Sequence, residues 1–237
     1  MERRRFLTRL GSGLVLATLS AEAFAEELTR TPQLTEGPFY PYGKLPLDKD
    51  NDLVIVGKSV TPAIGTITHL TGRILSPTGE PVKNAVMEIW QVDGNGVYIA
   101  QGSTGTEDKN FQGYGKFETG ADGAYRFRTI KPVPYPGRTP HIHVKVSVKG
   151  KPTLTTQFFV KGEASNTRDG VYRSAGSAKA QALVTSAFTP LKDSKLGEVA
   201  APVRCDTRRH SPGKRTRALR QQTGGGPPPP PPPRRFW

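Results

Sequence analysis

The stretch Tyr135-Pro-Gly-Arg-Thr-Pro-His-Ile-His143, which runs on into Val144-Lys-Val-Ser-Val148, reads as a β-strand entered from a Pro-Gly turn. Successive side chains on a strand point to opposite faces, so His141 and His143 point one way and Ile142 the other. The apolar face continues as Val144, Val146 and Val148. The strand is therefore half-buried, with a core on one side and two imidazoles on the other. Outward from it the same period recurs. Ala124 to Ile130 sets Tyr125, Phe127 and Thr129 against Arg126, Arg128 and Ile130, just after a turn at Asp122-Gly123. Similar runs occupy Thr68 to Ser76, Asn84 to Gln91 and Thr153 to Val160, with Gly and Pro between them, and helical periodicity is confined to Ala178 to Phe188. Short strands at this spacing predict an all-β chain folded as a β-sandwich. The Gly-, Thr- and Asn-rich segment from Gly102 to Gly115 is expected to be a loop bordering the site.

A His-x-His pair can be no more than the solvent face of an edge strand. It can also be a metal chelate, and two phenols, Tyr98 in Asp93-Gly-Asn-Gly-Val-Tyr98 and Tyr135, invite that reading. A cupin would place a glutamate a few residues after the pair, where this chain has Lys145 to Val148. Zinc usually recruits cysteine, a third histidine or a carboxylate, and the remaining histidines, His69 and His210, lie in a separate strand-like run and in the C-terminal tail. A phenol with a pKa near 10 becomes a ligand only to a cation acidic enough to take its proton. Ferric iron is such a cation.

Further motifs stand in a fixed order. Thr35-Glu-Gly-Pro-Phe-Tyr-Pro41 precedes Gly72-Arg-Ile-Leu75, Gly79-Glu-Pro-Val-Lys-Asn-Ala85 and Met87-Glu-Ile-Trp-Gln-Val-Asp93. After Tyr98 come Asp122-Gly-Ala-Tyr-Arg-Phe-Arg-Thr-Ile-Lys-Pro132, the Tyr135 to His143 stretch and Thr156-Gln-Phe-Phe159. From about Pro32 to Val160 this ordered set resembles the intradiol ring-cleaving dioxygenases, of the protocatechuate 3,4-dioxygenase type more than the longer catechol 1,2-dioxygenases. The resemblance implies a prealbumin-like β-sandwich with long loops around a metal site that holds one Fe³⁺ per chain through Tyr98, Tyr135, His141 and His143. It implies that Tyr135 gives up its place and accepts a proton from the substrate, and that Arg138 stabilises charge developing on the ring. Gln157 would support that arginine, and Trp90 would pack beside the substrate ring. The implied reaction cleaves a catechol between its two hydroxyl-bearing carbons, inserting both atoms of O₂ to give a cis,cis-muconate-type diacid. Only Pro136 to Pro140 separate Tyr135 from the histidines, fewer residues than in the family pattern, and the second tryptophan of that loop is missing. A more open pocket follows, in which protocatechuate, catechol, hydroxyquinol or a bulkier aryl diol all fit the expectation. The competing function is a non-catalytic, exported prealbumin-like binding module, which shares the sandwich motifs but has no need of the four donors. A third reading, an iron-free subunit beside a catalytic one, conflicts with all four donor positions being filled; a homo-oligomer is compatible with the sequence.

The two ends read differently from the middle. Arg3-Arg-Arg-Phe-Leu7, the apolar run from Leu10 to Leu19 and Ala23-Phe-Ala25 predict a twin-arginine signal peptide over residues 1 to 25, hence a periplasmic or secreted protein. That run is too short to span a membrane. Of the formal net charge of +14, +2 lies in residues 1 to 25 and +8 in residues 204 to 237, which leaves +4 for the part between them. So mild a charge argues against a nucleic-acid partner despite a pI near 10.1. The single cysteine, Cys205, excludes an internal disulfide, so stability rests on one hydrophobic core, expected over residues 26 to 199. From residue 200 the composition turns to arginine and then to seven prolines, Pro227 to Pro233, which predicts a disordered basic tail with a polyproline II stretch and no closing apolar strand. If the signal reading holds, replacing Arg3, Arg4 and Arg5 by lysine keeps the precursor in the cytoplasm of an exporting host. Immunoblots of cell fractions check this, and unchanged export rejects it.

Overall fold

The computed structural model describes residues 30 to 207, apart from 44, 47 and 100 to 102, so the expected signal peptide and most of the expected tail lie outside the described residues. Two five-stranded sheets face each other. In the first, β1 (Ile67–Leu75) is the hub. On one edge it pairs antiparallel with β4 (Ala124–Ile130), from Ile67↔Ile130 to Arg73↔Ala124. On the other edge lie β9 (Val199–Pro202) and then β10 (Cys205–Asp206), both parallel to it, with β8 (Thr189–Pro190) beyond β9. The second sheet runs β3 (Tyr114–Glu118), β2 (Ala85–Trp90), β5 (His141–Val148), β6 (Lys151–Val160), β7 (Thr185–Ser186). Two short helices, α1 (Gly170–Ser174) and α2 (Ala178–Leu183), follow β6. The fold is the all-β sandwich that the sequence predicts.

Alternation decides what each sheet face does. The core between the sheets takes Leu70 and Ile74 of β1, Tyr125 and Phe127 of β4, Met87 and Ile89 of β2, Ile142, Val144 and Val146 of β5, and Leu154 and Phe158 of β6. The complementary residues of the second sheet, Glu88 and Trp90, His141, His143 and Lys145, and Gln157 and Phe159, face away from that core. This outer face is not left to solvent, since Trp90, His141, His143, Gln157 and Phe159 are all buried. Its cover is the segment from Thr31 to Tyr42, tied down by Leu34 N–H to the Thr155 carbonyl at 2.8 Å and by the Tyr40 hydroxyl to Glu88 Oε1 at 2.6 Å.

The expected domain limit at residue 199 falls inside β9, and a closing strand does exist. Val199, Ala201, Val203 and Cys205 are buried at every second position, the alternation of a half-buried strand, even though Pro202 and Arg204 interrupt the composition. Gly72 is the hinge of this closure. A Cβ there would sit 1.8 Å from the Val203 carbonyl oxygen and 2.7 Å from the Tyr125 hydroxyl. Into the space left by the missing side chain reaches Tyr125, whose hydroxyl donates to that carbonyl at 2.6 Å. Gly72→Ala is expected to cost about 3 kcal/mol or more, because backbone must move to admit one methyl. Tyr125→Phe, which strands one buried carbonyl, should cost about 1 to 2 kcal/mol. Urea unfolding measures both, and a Gly72→Ala protein as stable as its parent would exclude this corner.

Candidate metal centre

Among the described residues no three or more His, Cys, Asp and Glu side chains gather as a metal group. A metal at the His-x-His pair must therefore draw on phenols, and the fold brings them there. Adjacent outward positions of β5 put His141 Nε2 and His143 Nε2 3.2 Å apart. The Tyr98 hydroxyl lies 2.9 Å from His143 Nε2 and 3.5 Å from His141 Nε2. Ligands bound at about 2.0 to 2.2 Å around one cation sit roughly 3 to 3.5 Å from one another, so this triangle has the dimensions of a coordination face. The Tyr135 ring completes the group at 5.4 Å from the Tyr98 ring and 5.6 Å from the His141 ring, centre to centre.

Each phenol is delivered by a turn that the sequence specifies. Asp93 closes the loop before Tyr98, its Oδ1 accepting from the N–H groups of Asn95 and Val97 at 2.9 and 3.0 Å and its Oδ2 from that of Asp108 at 2.6 Å. Gly96 in this loop has φ of +77°, a conformation an L side chain rarely adopts. Tyr135-Pro-Gly-Arg138 is a tight turn closed by the Arg138 N–H to the Tyr135 carbonyl at 2.9 Å, with Gly137 at φ of +81°. Pro then Gly at its two central positions is the type II signature. The turn sets the Arg138 Nη1 3.2 Å from the Tyr135 hydroxyl.

His141 Nδ1 lies 2.6 Å from the Thr139 carbonyl. A carbonyl only accepts, so Nδ1 carries the proton and the Nε2 lone pair faces the other donors. His143 stacks on Trp90, ring centres 4.8 Å apart and 9° from parallel, and its buried Nδ1 has no hydrogen-bond partner. Trp90 thus braces a candidate ligand from behind; its other ring neighbour is Tyr40. Burial first, and then the Arg138 cation, pushes the His141 pKa down to about 4. Burial, with His141 and Arg138 adding to it, holds His143 well below the usual imidazole range. Burial and the neighbouring Tyr135 hold the Tyr98 phenol well above its ordinary value. Two neutral imidazoles with converging lone pairs thus stand beside a phenol that ionises only for a strongly acidic cation, a donor set that fits Fe³⁺.

The seven residues singled out in the sequence, Trp90, Tyr98, Tyr135, Arg138, His141, His143 and Gln157, all gather here. Arg138 Nη2 donates to Gln157 Oε1 at 2.6 Å. Two participants escape a reading of the sequence alone. Phe39 stacks on Tyr98 at 4.7 Å and lies edge-on to Tyr135 at 6.1 Å, so the covering segment supplies a wall of the site. Asp169, far along the chain, accepts from Arg138 Nε at 2.8 Å; its only legible signal is an Asp before a short helix, as an N-cap.

The imidazoles make the metal-free protein acid-sensitive. Their folded pKa values lie below the unfolded value near 6.5, so their contribution to stability is complete above that pH and is lost as pH falls toward about 4. For His141 alone the loss by pH 5 is on the order of 2 kcal/mol. Urea unfolding of metal-free protein at pH 7 and pH 5 should show the drop, and the double variant His141→Gln, His143→Gln should lose less over the same interval. An equal loss in both proteins would mean that carboxylates elsewhere dominate.

The dioxygenase family model matches residues 35–200, beyond Val160, where the motifs of the sequence give out. The hydroxyquinol 1,2-dioxygenase of Nocardioides simplex is 28% identical over 69% of this chain and 57% of its own length. The protocatechuate 3,4-dioxygenase alpha chain of Burkholderia cepacia is 34% identical over 61% of this chain and 77% of its own. The chain spans about half the length of several other curated relatives it matches. Among solved structures, the dioxygenase domain of a dioxygenase and carbohydrate-binding protein fusion from Streptomyces sp. SirexAA-E superposes with a TM-score of 0.56 and 28% identity, over 75% of this chain and 97% of that one. With two thirds of its length inside the family match and its donors gathered on the outer face of one sheet, the chain belongs to the intradiol ring-cleaving dioxygenases.

Proposed function

We propose that the protein is an Fe³⁺-dependent dioxygenase that opens a catechol between its two hydroxyl-bearing carbons and gives a cis,cis-muconate-type diacid containing both atoms of O₂. The observation that carries this reading is the convergence of Tyr98, His141 and His143 within 2.9 to 3.5 Å, with Tyr135 and Arg138 beside them. Tyr98, Tyr135, His141 and His143 would hold one ferric ion, whose Lewis acidity ionises phenols and whose unpaired electrons open a route for the ring to react with O₂. His141 and His143 stay neutral and fix the ion to a strand. Tyr135, half-buried on a turn, is the donor free to swing aside and take a proton from one substrate hydroxyl at its phenolate oxygen. Arg138 places a fixed cation next to that hydroxyl, where it stabilises negative charge developing on the ring. Phe39, against Tyr98 and Tyr135, would bound the space for the ring and exclude water. The substrate is a catechol with an open choice of ring substituent; relatives carry the names of hydroxyquinol, catechol and protocatechuate dioxygenases. We also propose that it acts after export, on the strength of residues 1 to 25.

The test is an anaerobic titration of the iron-loaded protein with hydroxyquinol, catechol and protocatechuate, followed by admission of O₂ and identification of the product. A ring-opened diacid carrying both labelled oxygens is expected, and an extradiol aldehyde product or no reaction with any of the three would reject the proposal. His141→Ala should lose iron and, with it, the red-brown colour of phenolate-to-iron charge transfer. Arg138→Ala should keep iron, colour and catechol binding while the oxygen step slows roughly a hundred- to a thousandfold, the usual effect of removing one preorganised charge-stabilising group.

A further inference from the structure

We infer that Asp169 is the positioning residue of the Arg138 guanidinium, fixing the plane in which that cation meets the Tyr135 phenol; this rests on the dioxygenase reading above. A guanidinium is a flat fork of five N–H donors on a flexible stem, so its position is set by what its edges bind. Three protein acceptors hold this one. Asp169 Oδ2 takes Nε at 2.8 Å, Gln157 Oε1 takes Nη2 at 2.6 Å, and the Tyr135 hydroxyl lies 3.2 Å from Nη1. Two of the three fix the plane, and the third is the phenol that Nη1 faces.

Asp169 is the anchor with a charge; Gln157, also buried, is held by its Nε2 donating to the Thr35 carbonyl at 3.0 Å. The Asp169 side chain is 1% exposed, against 18% for that of Arg138. The same Oδ2 accepts from the Thr139 N–H at 3.0 Å, while Oδ1 accepts from the N–H groups of Val171 and Tyr172 at 2.8 and 2.9 Å. A carboxylate held by three backbone donors cannot follow a wandering arginine, so the arginine must come to it. Those contacts give Asp169 two separable tasks. Oδ1 caps α1, and Oδ2 ties the turn before β5 to the segment after β6. The second tie has a neighbour that needs no carboxylate from Asp169, since Thr139 Oγ1 lies 2.8 Å from both Ser165 Oγ and Asn166 Oδ1, and Asn166 Nδ2 donates to the Val160 carbonyl at 2.9 Å. The loop therefore stays docked when Oδ2 is removed, although the Thr139 N–H loses its acceptor, and the guanidinium is left with Gln157 as its one remaining anchor.

Asp169→Ser separates the tasks, because serine caps a helix about as well as aspartate but is too short to reach Arg138. The variant should melt somewhat below the parent, because the buried Thr139 N–H loses its acceptor, but keep its iron, its colour and its anaerobic affinity for catechol, and react with O₂ roughly ten- to a hundredfold more slowly. In an Arg138→Ala background the same change should add nothing, since a residue that acts through Arg138 has no further effect once the arginine is gone. In the metal-free protein, NMR should show the Arg138 side-chain Nε–H exchanging with solvent at least severalfold faster in Asp169→Ser than in the parent. A parental oxygen rate with Asp169→Ser while Arg138→Ala is slow, an additive double variant, or unchanged Nε–H exchange would each overturn the inference. A faster oxygen step would also overturn it, and would assign the carboxylate the role of damping the cation's charge. If Arg138→Ala itself reacts at the parental rate, the arginine's part in the proposed function fails and this inference falls with it. Should Asp169→Ser not fold, Asp169→Asn, which keeps the shape and the cap but not the charge, is subjected to the same three measurements.

Discussion

A strand has two faces, and β5 commits both. Ile142, Val144 and Val146 close the core between the sheets, while His141 and His143 carry the chemistry on the reverse side. Because the period is two, a one-residue slip would drive the imidazoles into the core and pull the apolar residues out of it. The histidines are therefore as rigid as the core itself. The cost is that the outer face of the second sheet must be covered a second time, by parts that are not sheet. The segment from Thr31 to Tyr42 supplies Phe39 and Tyr40, the loop after β2 supplies Tyr98, and the turn before β5 supplies Tyr135. Trp90, behind His143, belongs to the same secondary cluster and not to the main core.

That cover sets the electrostatics. Burial keeps both imidazoles neutral and the Tyr98 phenol protonated, and the Arg138 cation drives the histidines further in the same direction. Such a site is poor at holding protons on nitrogen and poor at releasing them from oxygen. A cation that stripped the phenol and filled the space between the lone pairs would relieve both at once, and its binding would then be coupled to folding. The same burial leaves His143 Nδ1 and Trp90 Nε1 without hydrogen-bond partners among the described residues.

The legible parts of the fold were those where alternation and apolar content agree. β4 and β5 have the limits that the sequence predicts, Ala124 to Ile130 and His141 to Val148. β3 was hidden because Tyr114-Gly-Lys-Phe-Glu118 carries a glycine and two charges, and it begins inside what reads as a loop. Gly115 is needed there, since a Cβ would sit 2.5 Å from the Asp50 carbonyl oxygen, so the residue that obscures the strand is the one that lets a neighbouring segment pack on it. The closing strands were hidden by Pro202 and Arg204, which dilute an alternation kept by Val199, Ala201, Val203 and Cys205. At the site, one local motif was visible by itself, and Trp90, Tyr98 and Gln157 were visible only through the ordered set of motifs that carries the family resemblance. Tyr135, Arg138, His141 and His143 lie within nine residues, whereas Phe39 and Asp169 reach them from distant segments and leave no local pattern that names the partner.

The turn at Tyr135 to Arg138 resolves a tension between rigidity and movement. Four residues closed by one backbone hydrogen bond hold both the phenol that would shift in the proposed reaction and the cation that would stay. Separate loops would let each find its own position; one turn forces them to share an anchor. Arg138 is fixed from the far side, through Asp169 and Gln157, to the segments after and within β6. Tyr135 has no carboxylate or amide anchor of that kind among the described residues; its hydroxyl faces Arg138 and the Tyr98 phenol. If the phenol swings aside as proposed, the arginine stays, and the Nη1 it had faced is left pointing at the space the phenol vacates. A group arriving in that space with developing negative charge meets a donor already oriented, so the preorganisation that charge stabilisation requires is built by pinning one end of a turn and leaving the other loose.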